Sequence, residues 1–476
     1  MSPKATLSAK DEKFRHFALN DNIWKVVLYV GAPLALYQSL NQLFKIFDAM
    51  MAAHISATSV SAVAYLSQIN MTLSALGGGL AIGSSLKISE AYGAGDFELV
   101  KKRVSSLFAM CGILGAVILL ILIPAAPQFL KLARTPESFI SEGTQYFRLE
   151  LVGMVISFFN NVYMSIERAR GNSKRILQLN MGVIAVKLSL TALFVYVLHG
   201  GINMISIATI ISQCLLLAAA IVNLNQKDNA FGFSIRSISL KAVVTKPMIV
   251  LSIPVMIEKV AFSFGKVIIN SMSTIYNALT VGALGISNNI GGITTMPQMG
   301  FQEGGSAIIS QSMGAGKPKR AIKAFGCILL INIMLGAVLM SLSLLFLKQI
   351  SGLFAGDDVE FGNMIASIYR YEAYGAIPLG INSSVLALLY GFGKTKITLT
   401  INFCRVFIFR VPILWLLQNF TNLGSVSLGI VMAISNTATG LMALIIGIIE
   451  IRRICRQYQI SFSRFPLNRE TIFQNK

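Results

Sequence analysis

Ile88-Ser89-Glu90-Ala91-Tyr92-Gly93-Ala94-Gly95 returns as Ile309-Ser310-Gln311-Ser312-Met313-Gly314-Ala315-Gly316, residue 309 answering residue 88 at an offset of 221. The same offset pairs Pro33 with Pro254 and Lys45 with Lys266. At 222, Arg148-Leu149-Glu150 and Gly153 answer Arg370-Tyr371-Glu372 and Gly375. Gly171-Asn172-Ser173-Lys174 answers Gly393-Lys394-Thr395-Lys396 at that same offset. One inserted residue over so long a stretch marks a duplicated unit. In an apolar chain, a duplication running in parallel implies two lobes with a site between or within them.

The chain is apolar enough for that reading. Of 476 residues 54% are hydrophobic and 13% charged, with a mean hydropathy of +0.68, against about 25% charged in soluble domains. Stretches of roughly 20 apolar residues recur about twelve times, enough for as many crossings. The expected fold class is therefore an all-α membrane protein of about twelve transmembrane helices in two six-helix lobes related by a parallel internal repeat. The boundaries read as a cytoplasmic tail at 1–22, an N-lobe at 23–224, a linker at 225–245, a C-lobe at 246–450 and a tail at 451–476.

The net charge of +20 is explained by its placement. Lys101, Lys102 and Arg103 follow the second span, Arg168, Arg170, Lys174 and Arg175 the fourth, and Lys317, Lys319, Arg320 and Lys323 the eighth. The alternate loops, such as His199-Gly200-Gly201 and Tyr276-Asn277-Ala278, are nearly free of basic residues. This asymmetry places both termini in the cytoplasm and argues against a nucleic-acid partner. No cysteine pair has metal-ligand spacing, and no histidine is paired in sequence with a nucleophile. An enzyme is not expected, nor any cofactor. The Gly93-Ala94-Gly95 and Gly314-Ala315-Gly316 segments read as helix-ending turns rather than phosphate loops.

Ionisable residues inside spans are the functional candidates, because a charge in hydrocarbon is costly. Asp48 lies among Ile46, Phe47, Ala49 and Met50, and Glu258 about twelve residues into the seventh span, roughly 18 Å along a helix. At the repeat offset Asp48 faces Ile269 and Glu258 faces Tyr37, so the scaffold is duplicated and its carboxylates are not. Asn160 and Asn161, beside Phe158, Phe159 and Tyr163, give the fourth span a polar-aromatic surface toward a cavity. Tyr37, Glu303 and Asn382 complete the candidate cavity residues, whereas Arg148/Glu150 and Arg370/Glu372 read as duplicated structural ion pairs.

Taken together, Phe47-Asp48, Gly77-Gly78-Gly79, Arg168-Ala169-Arg170-Gly171-Asn172-Ser173-Lys174, Tyr390-Gly391-Phe392-Gly393-Lys394-Thr395-Lys396 and Arg410-Val411-Pro412 resemble, in order and spacing, the multidrug and toxic compound extrusion (MATE) family. The resemblance spans essentially the whole chain. It implies a V of two lobes and multidrug export coupled to sodium or proton entry by alternating access. It also implies sodium ligands in spans five and six, where this sequence carries Lys187 and Thr191 and retains Thr209. Asp48, Thr191 and Thr209 are a thin ligand set for sodium, and an ammonium from Lys187 would occupy its place and pair with Asp48. The coupling ion is accordingly expected to be H+ ahead of Na+, with Asp48 and Thr209 as the candidate sodium position. In span ten the aspartate that some relatives carry is missing from Pro378-Leu379-Gly380-Ile381-Asn382.

The expected protein is a monomeric, multi-pass exporter of small organic, often cationic and lipophilic xenobiotics in a prokaryotic inner membrane. Its partners are the small-molecule substrate and the lipid bilayer. The alternative is a flippase or exporter of an anionic or lipid-linked compound, favoured by the intramembrane Lys45, Lys187, Lys259 and Lys266.

Overall fold

The computed structural model describes residues 5–52, 57–132, 137–225, 229–356 and 358–460. Its first half comprises α1 (Ala9–Asn20), α2 (Ile23–Ala52), α3 (Ala57–Ala94), α4 (Phe97–Leu122), α5 (Ala126–Leu132), α6 (Glu137–Ala169), α7 (Ser173–Ala192) and α8 (Ile202–Leu224). The second comprises α9 (Ala242–Ser273), α10 (Ala278–Gly314), α11 (Pro318–Leu345), α12 (Leu347–Ala355), α13 (Val359–Ala373), α14 (Ala376–Gly391), α15 (Thr395–Phe407), α16 (Val411–Phe420) and α17 (Val426–Gln457). Among the described residues nine helical stretches are long and apolar enough to cross a membrane, or ten if α13 and α14, bent by 49°, form one span.

The two longest helices, α3 and α10, fall outside that set although they run 38 and 37 residues. Glycine and serine lower their hydropathy, and the same residues let backbones approach closely. Side chains on Gly79 and Gly300 would collide with the backbones of Met256 and Ala35. On Gly93 and Gly314 they would collide with the backbones of Gln311 and Glu90. Each contact is its companion displaced by 221 residues with the halves exchanged. The repeated octapeptides thus pack against each other.

Helices α2–α8 otherwise pack chiefly among themselves, as do α9–α17, and the two sets meet along α2–α10, α3–α9 and α3–α10. The α2–α10 seam runs from Gly31 against Phe301 to Gln42, whose Nε2 donates to the Asn289 carbonyl at 3.1 Å. At the end where α3 and α10 finish, Ser310 donates to the Leu86 carbonyl at 2.7 Å and Gln311 Nε2 to that of Ala169 at 2.6 Å. Gly95 and Gly316, with φ of 83° and 68°, end the two helices in the left-handed region, as their sequence predicts.

Helix α1 lies across this end. Ser8 caps it by accepting from the Asp11 amide at 3.2 Å. Asp11 is buried and holds Arg170 with two bonds of 3.0 Å. Burial alone would pull the Arg170 guanidinium down; Glu167 and Asp11 more than compensate and hold its pKa above the ordinary value. Arg15 donates to the carbonyls of Tyr92 and Gly93 at 2.9 and 2.8 Å. From the second half, Lys317 donates to the Leu19 carbonyl at 3.0 Å and Arg320 to those of Ala18 and Asp21 at 2.9 and 2.7 Å. These cations satisfy carbonyls that a helix C-terminus leaves open.

Candidate functional site

Glu258 sits on α9 one turn after Pro254, a residue that breaks the local backbone ladder. It is 7% exposed. Its Oε1 accepts from Tyr390 Oη at 2.8 Å and Asn402 Nδ2 at 2.7 Å, and its Oε2 lies 2.7 Å from Thr398 Oγ1. Tyr390 comes from α14; Thr398 and Asn402 are four residues apart and share a face of α15. Among the described residues no ion pair reaches Glu258; its three hydrogen-bond partners are neutral, and the Lys259 ammonium acts on it through space.

The Thr398 hydroxyl decides the chemistry of this cluster. Its oxygen is 2.7 Å from Glu258 Oε2 and 2.8 Å from the Thr395 carbonyl. A hydroxyl has one proton to donate. If that proton serves the carbonyl, Oε2 satisfies the second contact only by carrying a proton itself and donating it to Thr398. If it serves an ionised Glu258, the Thr395 carbonyl loses that donor. The three side chains therefore accommodate both protonation states by one hydroxyl rotation.

Arg168 and Glu303 form an ion pair between α6 and α10, with side chains 14% and 18% exposed. Arg168 Nη2 also donates to Ser165 at 2.9 Å, and Tyr37 is within electrostatic reach of both charges. At the repeat offsets Tyr37 and Arg168 occupy the places of Glu258 and Tyr390. The first half carries Tyr37 instead of a carboxylate at this corner, and Glu303 of the second half supplies one across the seam.

The remaining candidates lie on α2, α6, α7, α8 and α14. Asp48 is on α2, but its side chain lies outside the described residues, and so does the proposed Lys187–Asp48 pairing. Lys187 is half-buried on α7. Thr191 is fully buried, and its Oγ1 has no hydrogen-bond partner among the described residues. Thr209 returns its hydroxyl to the Ile205 carbonyl at 3.0 Å. Asn160 donates to Gln213 Oε1 at 2.6 Å, Asn161 is half-buried, and Asn382 is buried with an unpartnered Oδ1.

The repeated Arg–Glu motif behaves differently from its sequence reading. Arg148 is exposed and donates to the Ile123 carbonyl at 3.1 Å, whereas Glu150 accepts from Asn70 at 2.6 Å and Ser206 at 2.7 Å. Residues two apart on a helix point to different sides, which is why this pair does not close on itself. Glu372 likewise turns inward and accepts from Ser287 at 2.5 Å.

The sequence matches the family profile MatE over residues 33–193 and again over 254–416. The chain belongs to the MatE family. The second match opens at Pro254 as the first does at Pro33, the 221-residue offset again. MatE relatives include "Probable multidrug resistance protein YoeA" of Bacillus subtilis (strain 168), 22% identical over 84% of this chain and 88% of that protein. "Multidrug and toxin extrusion protein 1" of Homo sapiens is 23% identical over 96% of this chain and 80% of its own length. Among solved MatE structures, "Outward-facing conformation of a multidrug resistance MATE family transporter of the MOP superfamily" aligns with a TM-score of 0.87 at 19% identity, covering 94% of this chain and 99% of that one. As a MatE protein the chain is a secondary transporter of small molecules, not an enzyme.

Proposed function

We propose that the protein exports small organic compounds, often cationic and lipophilic, in exchange for protons, and that Glu258 carries the coupling proton. The observation behind this is the shared Thr398 hydroxyl, which serves a neutral or an ionised Glu258 without moving a helix. Tyr390, Thr398 and Asn402 present hydrogens to the carboxyl, an arrangement better suited to a proton than to sodium, which needs converging oxygens. Loss of the proton leaves an ionised carboxylate out of water, a state stabilised by the three donors and by a cationic substrate.

The reading places twelve spans in two lobes with both termini in the cytoplasm, so the seam closed by α1, the paired octapeptides and Arg168–Glu303 faces the cytoplasm. Substrate and proton bias the lobes between this arrangement and one opened at that face. We keep Asp48, Lys187, Thr191 and Thr209 of the first lobe as a second place for the coupling ion, where the Thr191 hydroxyl, without a hydrogen-bond partner among the described residues, offers an oxygen.

Proteoliposome transport of ethidium under imposed proton or sodium gradients tests the proposal. Wild type should respond to the proton gradient, and Glu258→Gln should bind ethidium but lose gradient-driven movement. Wild-type rates in Glu258→Gln under a proton gradient would remove Glu258 from coupling. Transport that needs a sodium gradient and ignores a collapsed proton gradient would replace the proton.

A further inference from the structure

A second polar cluster, away from Glu258, gathers where two helices are interrupted. Arg405, near the end of α15, donates Nη2 to Asn436 Oδ1 at 3.0 Å. Arg410, in the turn before α16, donates Nη2 to the same oxygen at 3.0 Å and Nε to Ser435 Oγ at 3.2 Å. The two guanidinium nitrogens are therefore no farther apart than the sum of those two bonds. Arg405 also lies 5.2 Å from the centre of the Phe262 ring, and the Lys266 ammonium 5.3 Å from it.

Among the described residues two guanidiniums, Arg405 and Arg410, face one carboxylate here. Glu372 is close enough to feel Arg410, Arg405 and Lys266 electrostatically. Yet its carboxylate turns to Ser287 at 2.5 Å, and no ion pair to either arginine occurs among the described residues. Arg405 Nε is buried with no hydrogen-bond partner among those residues. Arg410 is 5% exposed, whereas Arg405, Lys266 and Glu372 are half-buried. Gly375, at the bend between α13 and α14, packs so closely on Asn436 that a Cβ there would fall 2.5 Å from its Nδ2. The start of α14 and the guanidinium of Arg410, the residue before α16, thus meet at the same asparagine. Interrupted helices with N-termini beside a cavity favour anionic groups in transporters.

We infer that Arg405, Arg410 and Lys266 form a binding site for an oxyanion, a carboxylate, sulfonate or phosphate group carried by the transported compound. Planar guanidiniums match such groups in pairs of hydrogen bonds, and the unused Nε–H edge of Arg405 supplies one donor of such a pair. The inference rests on the exporter reading and extends its substrates to compounds that carry an acidic group, alone or beside a cationic one.

Binding of 5-carboxyfluorescein and of ethidium to the purified full chain in phosphatidylcholine nanodiscs, read by fluorescence anisotropy without any gradient, tests it. Arg405→Gln and Arg410→Gln should each weaken 5-carboxyfluorescein binding at least tenfold, Arg405→Lys should restore part of it, and ethidium should shift less than twofold. Equal 5-carboxyfluorescein affinity in wild type and Arg405→Gln, at matched thermal stability, would overturn the site. Should the glutamine variants not fold, wild type provides the measurement: 5-carboxyfluorescein should protect Arg405 from phenylglyoxal, and unprotected modification overturns the proposal. Competition by phosphatidylglycerol that abolishes dye binding would assign the site to a lipid headgroup instead. Arg405-dependent binding with no dye transport under any gradient would retain this site and remove the exporter reading.

Discussion

Glutamine at position 258 should reproduce the protonated carboxyl, its amide donating to Thr398 while its oxygen accepts from Tyr390 and Asn402. Glu258→Gln is therefore expected to unfold within a few degrees of wild type, whereas Glu258→Ala strands three donors at about 1–3 kcal/mol each. Reaction of the buried Cys111 and Cys327 with a thiol dye during heating reads both; equal unfolding temperatures would show that the three bonds carry no stability. Glu258 was legible in the sequence because a lone carboxylate in an apolar run stands out. Its partners were not. Tyr390, Thr398 and Asn402 lie 132, 140 and 144 residues away, and nothing in their own segments distinguishes a donor aimed at a carboxylate from an ordinary packing residue. The repeated Arg–Glu motif read as structural, and its glutamates do tie helices together, but through Asn70, Ser206 and Ser287, polar partners that the sequence did not single out.

Among the elements, the long apolar helices were readable from hydropathy and the turns from their glycines. Helix α1 was not, because seven of its twelve residues are polar or charged and give no such signal; its stability comes from groups on α3, α11, the turn after α6 and the linker. Asp11→Ala should destabilise the protein by about 3–5 kcal/mol, since it leaves the buried Arg170 with only Glu167 as a close counter-charge. Asp11→Asn, which keeps some of the hydrogen bonds, should lose less, and thermal unfolding of the two variants measures the difference. A related test concerns the seam. Arg168→Ala and Glu303→Ala should be non-additive, with a coupling of roughly 0.5–3 kcal/mol in a double-mutant cycle. Strict additivity would mean that the ion pair does not join α6 to α10 in the membrane.

For the whole molecule, the exchanged contacts make a quantitative statement about symmetry. Gly93 on Gln311 and Gly314 on Glu90 are two copies of one contact with the halves exchanged, so Gly93→Leu and Gly314→Leu should open the seam to similar extents. Alkylation of a cysteine placed at Ser310, buried in the closed seam, should accelerate in both; acceleration in one alone would show that the halves meet unequally. Asp48 and Glu258 do not share this symmetry, which is why the duplicated sequence revealed the scaffold and not the chemistry. Helix α1 breaks it as well, binding Tyr92 and Gly93 on one half and Lys317 and Arg320 on the other. This has a practical bearing on how the protein is handled. An affinity tag or fluorescent fusion ahead of Ser8 would load a segment clipped to both halves and, under the exporter reading, change the cycling rate being measured. Reporters belong beyond Gln457, where helix α17 has already ended.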